Sequence, residues 1–176
     1  MDAGAHYRHL LTLGREEFLA SAAPAVLVRT RLRRRDLTLT GTKTLTFEQD
    51  FQETMDQAMV DGRFPLEAAE MELYPLAKKL GASFRDRITI GRTENNDVVI
   101  ADPSVSRLHA YVRHENGWVV ADAGSKNGSW LGDEQLEPRR EAPLPPGTMI
   151  RFGDVHLSFY RSSELFELLG GEHGRR

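Results

Sequence analysis

The chain is read from Ile88-Thr89-Ile90-Gly91-Arg92 and Asn96-Asp97-Val98-Val99-Ile100, through Ser106-Arg107-Leu108-His109-Ala110-Tyr111-Val112 and Trp118-Val119-Val120-Ala121-Asp122, to Ser125-Lys126-Asn127-Gly128-Ser129-Trp130. Its apolar segments, Ile88-Thr89-Ile90, Val98-Val99-Ile100, Tyr111-Val112 and Trp118-Val119-Val120, are β-branched or aromatic and of strand length. Gly, Asn, Asp or Pro bounds each of them, the pattern of short strands joined by turns. The polar islands between them are of one kind. Arg92, Ser106, Arg107, Lys126 and Asn127 are all donors suited to an anion, and they stand beside glycines that let backbone approach closely. A sheet sandwich whose loops carry the chemistry is the expectation.

The order and spacing of these islands resemble the forkhead-associated (FHA) domain, a phosphothreonine-binding module. The resemblance implies an all-β FHA-type β-sandwich over residues 69–161. A small α+β extension over residues 1–68 would precede it, and a short helix with a frayed tail over residues 162–176 would follow. It also assigns roles. Arg92 would be the principal cation for the phosphate, Ser106 the hydroxyl donor, Arg107 a second phosphate contact and Lys126 a third cation. Asn127 would bond the backbone of the bound peptide. Gly91, His109, Ser125 and Gly128 would support the site, with the His109 ring tying the phosphate loop to its neighbour rather than acting as a catalyst. Two positions depart from the family pattern. Ser104 stands where some members carry an arginine that reads the third residue after the phosphothreonine, and Gly132-Asp133 stands where Asn-Gly is common.

Composition bounds the alternatives. The chain has 176 residues, of which 40% are hydrophobic and 28% charged, with a net charge of −3. That is an ordinary soluble balance and not that of a general nucleic-acid binder. Without cysteine there is no disulfide framework and no thiolate metal site. The start, Met1-Asp2-Ala3-Gly4, has no basic region leading into an apolar run, and residues 22–28 are too short to span a bilayer. A cytoplasmic chain without membrane, cofactor or metal is expected.

Ahead of the sandwich, Tyr7, Leu10, Leu11, Phe18 and Leu19 have helical spacing, with a break at Gly14. Pro24 ends helix, and Ala25-Val26-Leu27-Val28 reads as a strand. The run Arg29, Arg31, Arg33, Arg34, Arg35 is expected as a solvated edge that blocks strand pairing. Two Leu-Thr strands around Gly41 and a helix over residues 48–60 bearing Phe51, Met55 and Met59 complete the extension. No anion donor of the pattern lies in residues 1–68. Their removal is therefore expected to lower solubility or melting temperature and to leave binding intact. Leu73 to Lys78 is expected as the first sandwich strand, at a sheet edge because of Pro75. Ser162 or Ser163 is expected to begin the last helix.

Catalysis has little footing. Ser106 and His109 are three residues apart, but no nucleophile elbow, nucleotide loop or metal cluster accompanies them. The expectation is a non-catalytic adaptor for a phosphothreonine-bearing protein, either a Ser/Thr kinase or its substrate, in bacterial kinase signalling. The alternative is an assembly module that works without phosphorylation.

Overall fold

The computed structural model describes residues 3–32, 69–81 and 84–170, and within them the β-branched segments build two sheets. One has six strands in the order β2 (Ala69–Pro75), β1 (Ala25–Leu32), β11 (Val155–Arg161), β10 (Met149–Phe152), β7 (Ser129–Leu131) and β8 (Glu134–Gln135). The other has five, in the order β4 (Val98–Val99), β3 (Ile88–Gly91), β5 (Ala110–His114), β6 (Trp118–Asp122) and β9 (Ala142–Pro143). All pairings are antiparallel except β3 with β4, where Ile90 meets Val98 in parallel.

The period of two places Leu27, Ile150, Phe152 and Phe159 of the first sheet against Ile90, Val112, Trp118 and Val120 of the second, and all are buried in one core. The four residues Ala25 to Val28 are buried without alternation because β1 is covered on both faces. Ala25 and Leu27 join the sandwich core. Val26 and Val28 join a second cluster with Leu73 and Tyr160, under helices α1 (Ala3–Leu13), α2 (Arg15–Ser21) and α3 (Ser162–Leu168). Tyr7, Leu10 and Phe18 fill that cluster from α1 and α2, and Leu165 and Phe166 fill it from α3. The rings of Phe18 and Phe166 meet edge-on at 5.2 Å, the geometry favoured by their quadrupoles. The described chain is thus three layers: helices, the six-stranded sheet and the five-stranded sheet.

Several expectations change in detail. The helix break at Gly14 is real, with φ of +96°, but Leu19 is 37% exposed and lies off the buried stripe. β2 starts and ends earlier than Leu73–Lys78 suggests, and Pro75 does close an edge strand. α3 begins at Ser162, with Arg161 in the position before it and no side-chain cap on that end. The Ser162 hydroxyl instead donates to the Ala23 carbonyl and ties α3 to the turn before β1. Arg29 is no solvated edge charge: it lies 3.6 Å from both Glu72 and Asp102, across from its register partner on β2. Arg33, Arg34 and Arg35, the two Leu-Thr strands and the helix over residues 48–60 lie outside the described residues.

Candidate functional site

Three loops surround an open groove of about 870 Å³ at one end of the sandwich. They are residues 92–97 between β3 and β4, residues 100–109 between β4 and β5, and residues 123–128 between β6 and β7. Arg92, Ser106, Arg107, Lys126 and Asn127 all line the groove, so the fold brings the five donors read from the sequence onto one surface.

The first two loops are pressed together by a glycine. A Cβ on Gly91 would sit 2.2 Å from the Arg107 carbonyl oxygen, so any side chain there would force the loops apart. The buried Asn96 side chain closes the seam by donating to the carbonyls of Arg107 (2.6 Å) and Thr93 (2.8 Å). The Arg92 amide donates to the Ser106 carbonyl at 3.0 Å, which fixes the two residues side by side. Below them Asp97 accepts from the Thr89 amide, the Lys79 amide and Lys78 Nζ. Burial raises the Asp97 carboxyl, yet these donors outweigh it and hold the group below its ordinary value.

His109 joins the second loop to the third. Its ring is fully buried, its Nδ1 lies 3.0 Å from the Ser106 amide and its Nε2 lies 2.9 Å from the Gly128 carbonyl. The amide can only donate, so Nδ1 is the acceptor. The proton is on Nε2 and is donated to Gly128, which makes the ring a neutral strut. Burial pushes its pKa below the ordinary 6.5, against the opposing pull of the Gly128 carbonyl and the Asp122 carboxylate.

The third loop hangs on Asp122, which is 1% exposed. Its carboxylate accepts from the Gly124 amide (2.7 Å), the Ser125 amide (2.8 Å) and the hydroxyls of Ser125 and Ser129 (2.6 Å each). Desolvation raises the Asp122 carboxyl, but the two hydroxyls and two amides prevail and lower it. Ser125 Oγ in turn accepts the Gly128 amide at 2.9 Å. Gly128 itself has φ of +84°, and a Cβ there would meet Gln135 and Trp130 at 2.8 Å.

These shifts give a pH prediction for the fold. A histidine whose folded pKa is depressed binds fewer protons than the unfolded chain, so its contribution is full above 6.5 and is lost as pH falls through the folded value. The lowered Asp97 and Asp122 contribute fully above the ordinary 3.8 and are lost below it. Denaturation midpoints should therefore be level above about pH 7, fall below pH 6.5 and fall again below pH 4. His109→Gln, which can still accept and donate, should remove the first fall only. A parent protein equally stable at pH 7.5 and pH 5 would contradict the neutral strut.

With the frame accounted for, the groups that remain are those facing the groove. Ser106 Oγ accepts the Lys126 amide at 2.9 Å, so its own proton is free for an acceptor in the groove. Asn127 Nδ2 donates to the Ser104 carbonyl at 2.8 Å, which leaves its second N–H and its Oδ1 for a donor and an acceptor on one ligand. Arg92, Arg107 and Lys126 are exposed, and none pairs with a carboxylate among the described residues. An acidic chain here presents three cations, a hydroxyl and an amide to the same space. That set is complementary to a tetrahedral oxyanion carried on a peptide.

Support for the site also comes from the β10–β11 turn. The Asp102 carboxylate accepts the Ser104 amide at 3.0 Å and the Ser104 hydroxyl at 2.7 Å. Ser104 Oγ accepts the Asp154 amide at 3.0 Å, so the β10–β11 turn underpins the second loop. A Cβ on Gly153 in that turn would lie 2.5 Å from the Ser104 carbonyl. The Asp-Pro-Ser sequence was the available signal, since Asp bonding the amide two residues on is an Asx turn. Trp130 does not line the groove; it is half-buried, with the Arg151 guanidinium 3.5 Å above its ring.

Residues 88–153 match the FHA domain family. The oxoglutarate dehydrogenase inhibitor of Corynebacterium diphtheriae is 33% identical over 99 residues, covering 54% of this chain and 67% of that protein. The chain belongs to the FHA domain family. An FHA domain-containing protein of Arabidopsis thaliana is 33% identical over 69 residues, covering 38% of this chain and 18% of its own length. Against that relative the chain spans less than a fifth. Among solved structures, Mycobacterium tuberculosis EmbR in complex with a low-affinity phosphopeptide overlays with a TM-score of 0.44 at 23% identity, covering 68% of this chain and 32% of that one. FHA domains are generally non-catalytic binding modules and typically bind phosphothreonine peptides. Helices α1 to α3 and strands β1, β2 and β11 lie outside the matched residues.

Proposed function

We propose that the chain is a non-catalytic adaptor that binds a phosphothreonine-containing segment of a Ser/Thr kinase or of a kinase substrate, in the cytoplasm of a bacterium. One observation carries it. Three cations converge on the groove beside a serine, and among the described residues the cations have no acidic partners and the serine's hydroxyl proton is unused. In this reading Arg92 holds two phosphate oxygens with its planar fork, Ser106 donates to a third, and Arg107 and Lys126 add charge. Asn127 bonds the peptide backbone on either side of the phosphate and fixes its direction.

Capture from an oriented phosphothreonine peptide library tests the reading, with the unphosphorylated library as the control. Retention of phosphorylated peptides alone supports it. Equal retention of both libraries, or binding unchanged by phosphatase, would instead favour assembly without phosphorylation.

A further inference from the structure

On the outer face of the five-stranded sheet, next to the phosphate groove, lies a second groove of about 240 Å³. Phe84, Arg87, Leu108, Tyr111 and Arg139 wall it. The two grooves are one continuous surface: Leu108 lines both, and Ala123 in the second is followed in the chain by Gly124 in the first.

The chemistry of the second groove is apolar and aromatic, with one positive charge that is unpaired among the described residues. Phe84 is 44% exposed and Leu108 42%, two of the few large hydrophobic side chains left in water among the described residues. The Arg87 guanidinium lies 4.6 Å from the Tyr111 ring centre and 5.4 Å from that of Phe84, and Asp86 neutralises it at 2.7 Å. Arg87 therefore extends the wall without offering a free charge. Arg139 does offer one. It is exposed and has no acidic partner among the described residues. It is also the only non-glycine there with positive φ, at +65°, a conformation disfavoured for a side chain. Its amide donates to the Asp122 carbonyl at 2.7 Å, which holds it beside the loop that carries Lys126 and Asn127.

We propose that this second groove takes the stretch of partner chain adjoining the phosphothreonine, with an apolar side chain against Leu108, Phe84 and Tyr111 and a carboxylate against Arg139. The proposal rests on the reading of the first groove as the phosphothreonine site. Its occupant follows from continuity and charge. A chain anchored at Ser106 that leaves past Leu108 lies over the aromatic wall within its next few residues, and the unpaired charge waiting there is positive. An acidic-apolar flank is thus selected, and a basic flank is rejected.

The test uses the full chain and a library with phosphothreonine fixed and the flanking positions degenerate, beside its unphosphorylated twin. The parent should enrich an apolar residue and an Asp or Glu at flanking positions. Arg139→Gly fits the positive φ, so the variant should melt at the same temperature or higher while acidic enrichment disappears. Its affinity for a peptide with the selected acid should fall about twofold to fivefold, as for a solvent-exposed ion pair. Phe84→Ser, which alters the second groove alone, should weaken apolar enrichment, lower affinity for the selected peptide about threefold to tenfold, and keep the preference for phosphorylated peptides. Flanking preferences that are absent from the parent, or unchanged in both variants, overturn the second groove and leave the first standing. An Arg139→Gly protein that melts lower and selects the same flanks makes Arg139 a structural residue and overturns its part. No preference for the phosphorylated library in the parent overturns both readings.

Discussion

Replacing Arg92 by alanine is expected to weaken phosphothreonine peptide binding by roughly tenfold to a hundredfold, since a hydrogen bond to a charged group contributes about 1.5–3 kcal/mol. The fold should tolerate the change. Arg92 holds its place through its backbone amide, which donates to the Ser106 carbonyl at 3.0 Å, and its exposed side chain makes no ion pair among the described residues. Arg92→Lys keeps the charge and loses the planar fork, so it should recover only part of the loss. Replacing the peptide's phosphothreonine by Asp or Glu should nearly abolish binding. A carboxylate has one charge and two oxygens in a plane, which cannot meet donors arriving from three loops. Phosphoserine should bind more weakly than phosphothreonine if the groove packs the methyl, a group worth about 0.8 kcal/mol at full burial. Isothermal titration on folded variants decides the matter. An Arg92→Ala protein that binds as tightly as the parent would sink the mechanism.

The contrast between Arg92 and Arg29 shows how far a sequence can be read here. The place of Arg92 on the groove was legible because it is set locally: it follows a glycine at a strand end, and the other donors recur at loop positions between short apolar runs. His109 was legible as support for the same reason, although which ring nitrogen carries the proton needed the Ser106 amide in view. Arg29 was read as a solvated edge charge because a basic run usually is one. Its true surroundings, Glu72 on β2 and Asp102 beyond β4, lie 43 and 73 positions on in the chain, and nothing local announces them. Ser104 was similar. Its place beneath Asn127 depends on the Asp154 amide, 50 residues away. The loops were legible where chemistry repeats within a few residues, and illegible where support comes from a distant strand.

The same limit governs the N-terminal third, where the pattern is continuous apolar sequence. Ala25-Val26-Leu27-Val28 reads as a strand, but four buried residues in a row do not say which two sheets or layers they separate. The register does. Val26 pairs with Tyr160 on one side and Pro75 on the other, so β1 sits inside the six-stranded sheet between β11 and β2. Removing residues 1–68 was expected from sequence to leave a binding-competent sandwich. The structure points to a different result. Such a chain loses Val26, Leu27 and Val28, each at most 3% exposed, together with two ladders of backbone hydrogen bonds. At about 1.5–3 kcal/mol per fully buried side chain the loss is roughly 5–9 kcal/mol, comparable to the whole stability of a domain this size. A chain beginning at residue 69 should show no cooperative thermal transition and no phosphopeptide binding. A chain beginning at residue 22 keeps both sheets and loses only α1 and α2. It should fold with a lower melting temperature, because Val26, Val28, Tyr160 and Phe166 lose their cover, and it should bind peptide as the full chain does, since no groove residue belongs to the helices. Circular dichroism melts on the two truncations separate the cases, and a 69–176 chain that melts cooperatively would show β1 to be dispensable.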